Sequence, residues 1–383
     1  MAFSPWRKHQ TSRGRYTPNL WPVWLVAPLA VVLVLLLGRG IYEYAYDYFA
    51  QAAADQKPPE PVNVNDVLKA TVTALTLVGA VLAGLYAYRK QLLSEGDAHR
   101  ADASQLADRY TTAAEQLGHD QAAVRLAGVY ALARLADDWE DQRQVCIDVL
   151  CAYLRMPYQP DSAGPGHKAG EREVRWTIIR VIRDHLREPA APASWCTNSL
   201  DFTGATFDGG DLSRSRFLGT VIFSGATFSG GTVIFSGARF FGGRVDFRNA
   251  RFSGGTVTFS SVEFSGGTVD FCGAAFSGSE VNFSWAEFSG SEVVFNQAAF
   301  SGGTVDFGSS LAGYNGARFS GGRVSFSQAA FSGGTVNFDG VLFSGGRVNF
   351  HEAVLSGSTV TFSFASFSGT EFTWGPFPIP AGA

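Results

Sequence analysis

Phenylalanine recurs through the C-terminal half of the chain with gaps that alternate between five and seven residues. The unit is a dodecapeptide, roughly F-S-G-G-T-V-x-F-x-x-A-x, which begins at Phe228 and returns as far as Leu355. Of the 32 Phe residues, 30 follow residue 200. A coil that cannot bury its apolar face alone must cover that of a neighbour, so this constant phase predicts a solenoid.

The pattern within each unit predicts that the solenoid is built from short strands. In Val257-Thr258-Phe259 and Val269-Asp270-Phe271, apolar residues flank a polar one, which is the period of a strand with one buried face. Paired glycines between these segments supply turns. The sequence therefore predicts a narrow β-helix with two dodecapeptides, about 24 residues, in each coil. Its predicted structural core includes Phe259, Phe264, Phe271, Phe276, Phe283 and Phe288.

The entry to this region is more regular. A large apolar residue stands at every fifth position, at Phe202, Phe207, Leu212 and Phe217, and these four join the predicted core. Small residues precede most of them by two positions, and Asp211-Leu212-Ser213-Arg214 reads as one repeat. The region from 198 to 373 resembles the pentapeptide-repeat family, which implies a right-handed quadrilateral β-helix. It departs from that family by two extra residues in every second pentapeptide.

The N-terminal part of the chain carries two uncharged stretches, one at residues 21–38 and one within residues 67–88. Each approaches the ~20 residues that cross a bilayer as a helix, so two transmembrane helices are predicted. The alternative for the first stretch is a cleaved signal peptide, since Arg7, Lys8, Arg13 and Arg15 precede it. No small-x-small site closely follows that stretch, which favours a retained helix.

Charge on the flanks of the two stretches predicts their orientation. Residues 1–20 form a basic N-terminus with four Lys or Arg, whereas the connecting loop 39–66 has five acidic and two basic residues. Arg89 and Lys90 follow the second stretch. Positive ends remain inside, so the prediction is a multi-pass protein of the plasma (inner) membrane, with the loop outside and both termini cytoplasmic.

A helical block links the second stretch to the solenoid. Apolar periodicity predicts an α-helical module over residues 97–157, in which the second helix begins after an Asp120 cap. A linker follows at 158–170 and a joining helix at 171–188. Residues 123–136 look like a HEAT-type helix, and residues 109–153 are similar to the module of membrane-anchored actinobacterial pentapeptide-repeat proteins. The predicted fold class is therefore α+β in several parts: two spans, this module and the β-helix.

The chain offers few residues for catalysis. Its four Cys form no C-x-x-C pair, its six His stand singly, and no phosphate-binding loop motif occurs. We therefore predict no catalytic, cofactor-binding or metal-binding residues, and no enzyme activity.

Three functions can be compared with these features of the sequence. The favoured one is a membrane-anchored scaffold that presents a cytoplasmic β-helix to an unidentified protein. The alternative, implied by the family resemblance, is a DNA-mimic inhibitor of an enzyme such as DNA gyrase, but residues 200–375 combine 13 acids with 9 Arg, too dilute to imitate a duplex. The third is an ice-binding surface formed by threonines at equivalent positions of successive repeats. Charged residues replace threonine in several of these repeats, which does not suit such a surface. Nucleic acid is not a predicted partner.

Two interaction sites are predicted on the scaffold. The first is an arginine face on the joining helix, and the second is the loop Gly308 to Gly316, where seven extra residues break the repeat. Their candidate contact residues are Arg180, Arg183, Arg187, Leu311 and Tyr314.

Overall fold

The computed structural model describes residues 9–10, 16–17, 23–55, 61, 63–160, 164, 166–308 and 316–380. The chain divides into two compact units, Met1–Asp102 and Ala103–Ala383.

The first unit contains two long helices, α1 (Val23–Ala54) and the first part of α2 (Val64–Leu117), after a pair of antiparallel two-residue strands at His9–Gln10 and Tyr16–Thr17. Helix α1 continues well past the predicted end of the first span and takes in much of the predicted loop 39–66. Helix α2 likewise runs without a break from the second span into the helical module. No proline interrupts either extension, so nothing in the sequence ends the helix earlier.

One helical segment of the described residues, Val64–Gln91, is long and apolar enough to cross a membrane. The most apolar stretch of this segment has a mean hydropathy of 1.8 and is only 6% buried, so its side chains face outward. The first predicted span begins at residues 21–22, outside the described residues, although the apolar run Val31–Leu37 on α1 is also exposed. The second crossing therefore stays a prediction.

The helical module begins within α2, which has no break at residue 97. After α2 come α3 (Ala122–Asp138), a 3₁₀ turn (Glu140–Gln142), α4 (Arg143–Arg155) and α5 (Glu171–His185). The predicted Asp120 cap is wrong, because Gln121 occupies the cap position and makes no side-chain capping bond there. The Asp120 carbonyl instead accepts a hydrogen bond from the Arg125 guanidinium at 2.5 Å.

The β-helix places four parallel ladders of strands around each coil, named ladders I to IV in chain order. Ladder I comprises Leu200–Asp201, Val221–Ile222, Arg244–Asp246, Thr268–Asp270, Glu292–Val294, Arg323–Ser325, Arg347–Asn349 and Glu371–Thr373. Ladder IV comprises Arg216–Phe217, Arg239–Phe241, Glu263–Ser265, Glu287–Ser289, Arg318–Ser320, Leu342–Ser344 and Ser366–Ser368.

Ladders II and III share one sheet, because three long strands belong to both. Separate strands of ladder II are Thr206–Phe207, Thr227–Phe228, Arg251–Phe252 and Val354–Leu355. Those of ladder III are Gly210–Asp211, Thr232–Ile234, Thr256–Thr258 and Thr359–Thr361. The shared strands are Ala275–Asn282, Ala299–Asp306 and Ala330–Asn337.

The pairing register gives the length of each coil. Val245 pairs with Val269 and Val269 pairs with Val293, which is a step of 24 residues and two dodecapeptides. The first coil is shorter, since Leu200 pairs with Val221, and the step from Val293 to Val324 takes in the seven extra residues. The rod has about seven coils.

Four columns of stacked phenylalanine rings fill the interior of the rod. Phe271 lies between Phe247 and Phe295, with ring centroids 4.7 Å from each and interplanar angles of 2° and 4°. Phe259 and Phe283 stack at 4.8 Å in a different column. Because each ring covers the ring of the coil before it, the columns keep the spacing of the strands from one coil to the next.

Candidate functional site

The rod's interior offers no space for a substrate along the predicted core positions. All ten predicted core residues have exposed fractions of 0–2%: Phe202, Phe207, Leu212, Phe217, Phe259, Phe264, Phe271, Phe276, Phe283 and Phe288. These side chains are committed to packing, so any function of the rod must use its outer surface and its ends.

The predicted arginine face of α5 does not present its three residues equally. Arg180 and Arg187 have about half of their side chains exposed and lie 3.9 Å from Glu173 and Asp184. Arg183 is largely enclosed and forms ion pairs with Asp184 and Asp211. Arg183 is therefore not a free surface charge as predicted, because its guanidinium is paired with aspartates within the fold.

The helical module holds the first coil of the rod through three arginine–aspartate pairs. Arg155 on α4 pairs with Asp201, and on α5 Arg172 Nε lies 2.9 Å from Asp208 Oδ2 and Arg183 pairs with Asp211. This set, the arginine joint, connects two helices to three strand or turn positions of one coil. It fixes the module against the edge of the rod that would otherwise expose unpaired backbone.

Burial of Asp211 would raise the pKa of its carboxyl, but hydrogen bonds from Ser213 and Arg183 outweigh that effect. The pKa of Asp211 therefore lies below its ordinary value of 3.8. The carboxylate is charged at neutral pH, as its pairing with Arg183 requires.

Close packing complements the arginine joint. Gly209 and Gly210 have φ values of 141° and 139° and lie directly beneath α5. A Cβ on Gly209 would come within 2.8 Å of the Trp176 ring, and one on Gly210 would come equally close to Ile179 Cδ1. Glycine is required at both positions because the helix approaches the strand backbone there.

A buried ionic network stabilises the helical module itself. Arg125 on α3 is fully buried, lies 3.4 Å from the Glu171 carboxylate and donates a hydrogen bond to the Ala169 carbonyl at 3.0 Å. Tyr153 donates its hydroxyl hydrogen to Glu171 Oε2 at 2.8 Å, and Arg175 lies 3.9 Å from the other oxygen. Burial of charged groups is tolerated when they are paired and hydrogen-bonded in this way.

Burial raises the pKa of all four thiols above its ordinary value. Burial raises the pKa of Cys146 to about 11 and that of Cys151 to about 12, so both are protonated near neutral pH. Cys196 and Cys272 also have a pKa raised by burial, and all four thiols are free. Among the described residues, no group of three or more His, Cys, Asp and Glu could hold a metal ion.

The outer surface of the rod mixes charges of both signs along its length. At the first position of its strands, ladder I carries in succession Arg244, Thr268, Glu292, Arg323, Arg347 and Glu371. The same position of ladder IV carries Arg216, Arg239, Glu263, Glu287, Arg318 and Leu342. Neither column is a continuous acidic stripe.

A groove in the helical module lies between α2 and α3. This groove has a volume of about 510 Å³ and is lined by Arg109, Tyr130 and Arg134, among others. Arg109 is paired with Asp138 at 2.7 Å. The second predicted interaction site, with Leu311 and Tyr314, lies outside the described residues.

Sequence reasoning missed the arginine joint and one exposed aromatic residue. Asp201, Asp208 and Asp211 lie close together in the first coil, and this local excess of Asp was the available signal for an arginine partner. Trp285 stands at a turn position of the repeat where most of the other described coils have Gly, Ser or Arg. A bulky aromatic residue in a turn position was the signal there, and Trp285 is 56% exposed in the structure.

Comparison with known proteins agrees with the geometry of the rod. Residues 202–243 match the family described as pentapeptide repeats (9 copies). No curated protein and no solved structure was found to match the chain.

Proposed function

We propose that the protein is a non-enzymatic scaffold anchored in the membrane, built on a solenoid whose residues 202–243 match the pentapeptide-repeat family. The observation that carries the proposal is the filled interior of the rod, whose apolar side chains are all used in stacking. A rod of about seven coils, with strands ~4.8 Å apart, extends on the order of 35 Å. That length suits a protein partner better than a small substrate.

Membrane attachment is supported by the apolar segment Val64–Gln91 and by the flanking charges. We propose two crossings of the plasma (inner) membrane, with both termini in the cytoplasm. In this arrangement the helical module and rod act on the cytoplasmic side. The arginine joint would then hold the rod in a fixed position on its module, so that a bound partner is positioned as well as retained.

The charge pattern gives little support to the alternative, a DNA-mimic inhibitor of an enzyme such as DNA gyrase. Mimicry of a duplex needs closely spaced negative charge along one face, with one charge per ~1.7 Å of axis. Ladders I and IV instead contain both arginine and glutamate along their length.

Topology is tested with a reporter that is active outside the membrane. An alkaline phosphatase fused after Ala383 should be inactive, and the same enzyme inserted near Pro58 should be active, because the positive flanks keep the termini inside. A fusion at Arg89 serves as a second cytoplasmic control. The reverse pattern of activity would contradict the proposed location of the rod.

Scaffold function is tested by cross-linking in intact membranes with the full chain. We expect a specific partner whose cross-linking depends on the rod surface. Deletion of the rod uncovers apolar residues beneath α5, so a better control keeps the rod and changes outward residues of ladder IV, as in Glu263→Ser with Arg318→Ser. Cross-links that are unchanged both in this variant and after deletion of the rod would contradict a scaffold role for the rod.

A further inference from the structure

Trp285 is exposed and held in an unfavourable backbone conformation. It lies at the corner between ladders III and IV with φ of +62°, in the left-handed region that bulky residues rarely adopt. More than half of its surface is open. At the same corner of other coils the chain has Gly237 and Gly340, which adopt this conformation without strain, and also Arg214, Ser261 and Phe364, which adopt it with φ of 56–59°. The turn therefore does not require an indole, and the exposed face of Trp285 is open to a partner.

The surrounding part of the rod is an acidic band. Residues 252–317 contain six acidic residues and no Lys, Arg or His. Three of the six are satisfied within the fold: Glu263 by Arg239 at 3.1 Å, Asp270 by Arg244 at 3.3 Å, and Asp306 by Asn337 Nδ2 at 2.9 Å.

The other three carboxylates lie close to Trp285 in the chain, two on its own coil and one at the start of the next. Glu280 lies in the ladder III part of the strand Ala275–Asn282, Glu287 begins the ladder IV strand after Trp285, and Glu292 begins the ladder I strand of the following coil. Within the described parts of the chain, none of them forms an ion pair or accepts a side-chain hydrogen bond. The chain around the exposed indole therefore also carries carboxylates without a direct ion-pair partner, although the following coil places Arg318 next to Glu287 and Arg323 next to Glu292 in the strand register.

We propose that the outer surface of the coil that carries Trp285, Glu280 and Glu287 binds a lysine- or arginine-containing segment of a protein partner. A cationic side chain placed over the indole face gains a cation–π interaction, and the flanking carboxylates accept its hydrogen bonds. An apolar partner would leave these carboxylates desolvated and unpaired. The inference rests on the proposed scaffold function and assigns the partner's chemistry.

A second exposed aromatic residue provides a matched control. Phe364 occupies the same corner of a later coil, with φ of +59° and an exposed fraction of 84%. It lies outside the acidic band. Phe364→Gly therefore reproduces the loss of a strained, exposed ring without changing the proposed site.

The test uses the full chain in nanodiscs of zwitterionic phosphatidylcholine and three short labelled peptides of one length, with Lys, Gln or Glu at the same positions. We expect the Lys peptide alone to bind, with an affinity that falls as salt rises. Trp285→Gly should weaken that binding roughly tenfold, within the range of cation–π energies. Glu280→Gln with Glu287→Gln should also weaken it, and Phe364→Gly should not.

Thermal unfolding separates binding from folding in the same samples. Trp285→Gly places glycine where two other coils already have it, so the unfolding midpoint should be unchanged or higher. Equal binding of the three peptides, or full affinity in Trp285→Gly, would overturn the proposal. So would a loss of self-association in Trp285→Gly by sedimentation, which would assign this surface to a second copy of the chain. Partner cross-links that require the rod but survive these substitutions would refute this site and leave the scaffold function standing.

Discussion

Phe271→Ala is expected to lower the free energy of unfolding by about 3–5 kcal/mol. The ring is fully buried and stacks at 4.7 Å on the rings of both neighbouring coils. Truncation removes contacts on both sides and leaves a cavity that neither adjacent coil can fill without breaking its own stacking. Urea unfolding of the full chain, monitored by circular dichroism, measures the change.

Glu292→Ala provides the control for Phe271→Ala, since Glu292 is exposed on the next coil of the same ladder. We expect its effect to stay within about ±0.5 kcal/mol. Comparable losses at the two positions would mean that the phenylalanine columns do not carry the stability of the rod.

Asp270 shows where the sequence pattern was too simple. The alternation in Val269-Asp270-Phe271 indicates that Asp270 points to solvent, and replacing such a surface residue by Ala usually changes the stability by no more than about 0.5 kcal/mol. In the structure Asp270 Oδ1 accepts a hydrogen bond from the Cys272 amide at 3.0 Å, and the carboxylate pairs with Arg244. We now expect Asp270→Ala to cost about 1 kcal/mol, the usual worth of such a bond. Period-2 patterning identifies the outward face but not the turn contacts made there.

The repeat made the rod predictable because each coil imposes the same constraint on the next. Once Phe259 and Phe271 are assigned inward, the phase fixes the remaining columns and the 24-residue coil. The first coil escaped this logic, because its pentapeptides lack the extra residues and Leu200 pairs with Val221 after 21 residues.

The candidate sites were less predictable, because they depend on contacts between segments that are distant in the chain. Arg183 reads as a surface residue on an amphipathic helix until Asp211 is placed beside it. Arg125 likewise occupies an apolar helix where a charge is unexpected, and its partners Ala169 and Glu171 come 44 or more residues later. The pattern of a single sequence indicates whether a residue is buried or exposed. It does not identify a partner that is distant in the chain.

Gly267→Ala is expected to destabilise the rod by about 2–5 kcal/mol, more than the adjacent Gly266→Ala. Both glycines are left-handed, with φ of +73° and +75°, so each alanine incurs the same backbone strain of about 1–2 kcal/mol. The surroundings differ. A Cβ on Gly267 would lie 2.2 Å from the Gly243 carbonyl oxygen of the previous coil, whereas one on Gly266 has its nearest atom at 3.8 Å. The close approach adds an overpacking cost of about 1–3 kcal/mol.

Gly267→Ser offers a further comparison, because another coil of the rod already has serine at this corner without a left-handed backbone. At the equivalent position of the next coil, Ser291 avoids the left-handed region and donates its hydroxyl hydrogen to the Phe264 carbonyl at 2.9 Å. A serine at 267 can adopt that corner and form the analogous bond, so it should recover about 1 kcal/mol relative to alanine. The unfolding midpoint in urea should therefore be highest for Gly266→Ala, intermediate for Gly267→Ser and lowest for Gly267→Ala. Equal midpoints for the two alanine variants would show that adjacent coils separate at this corner without cost, and that glycine is present there for its φ alone.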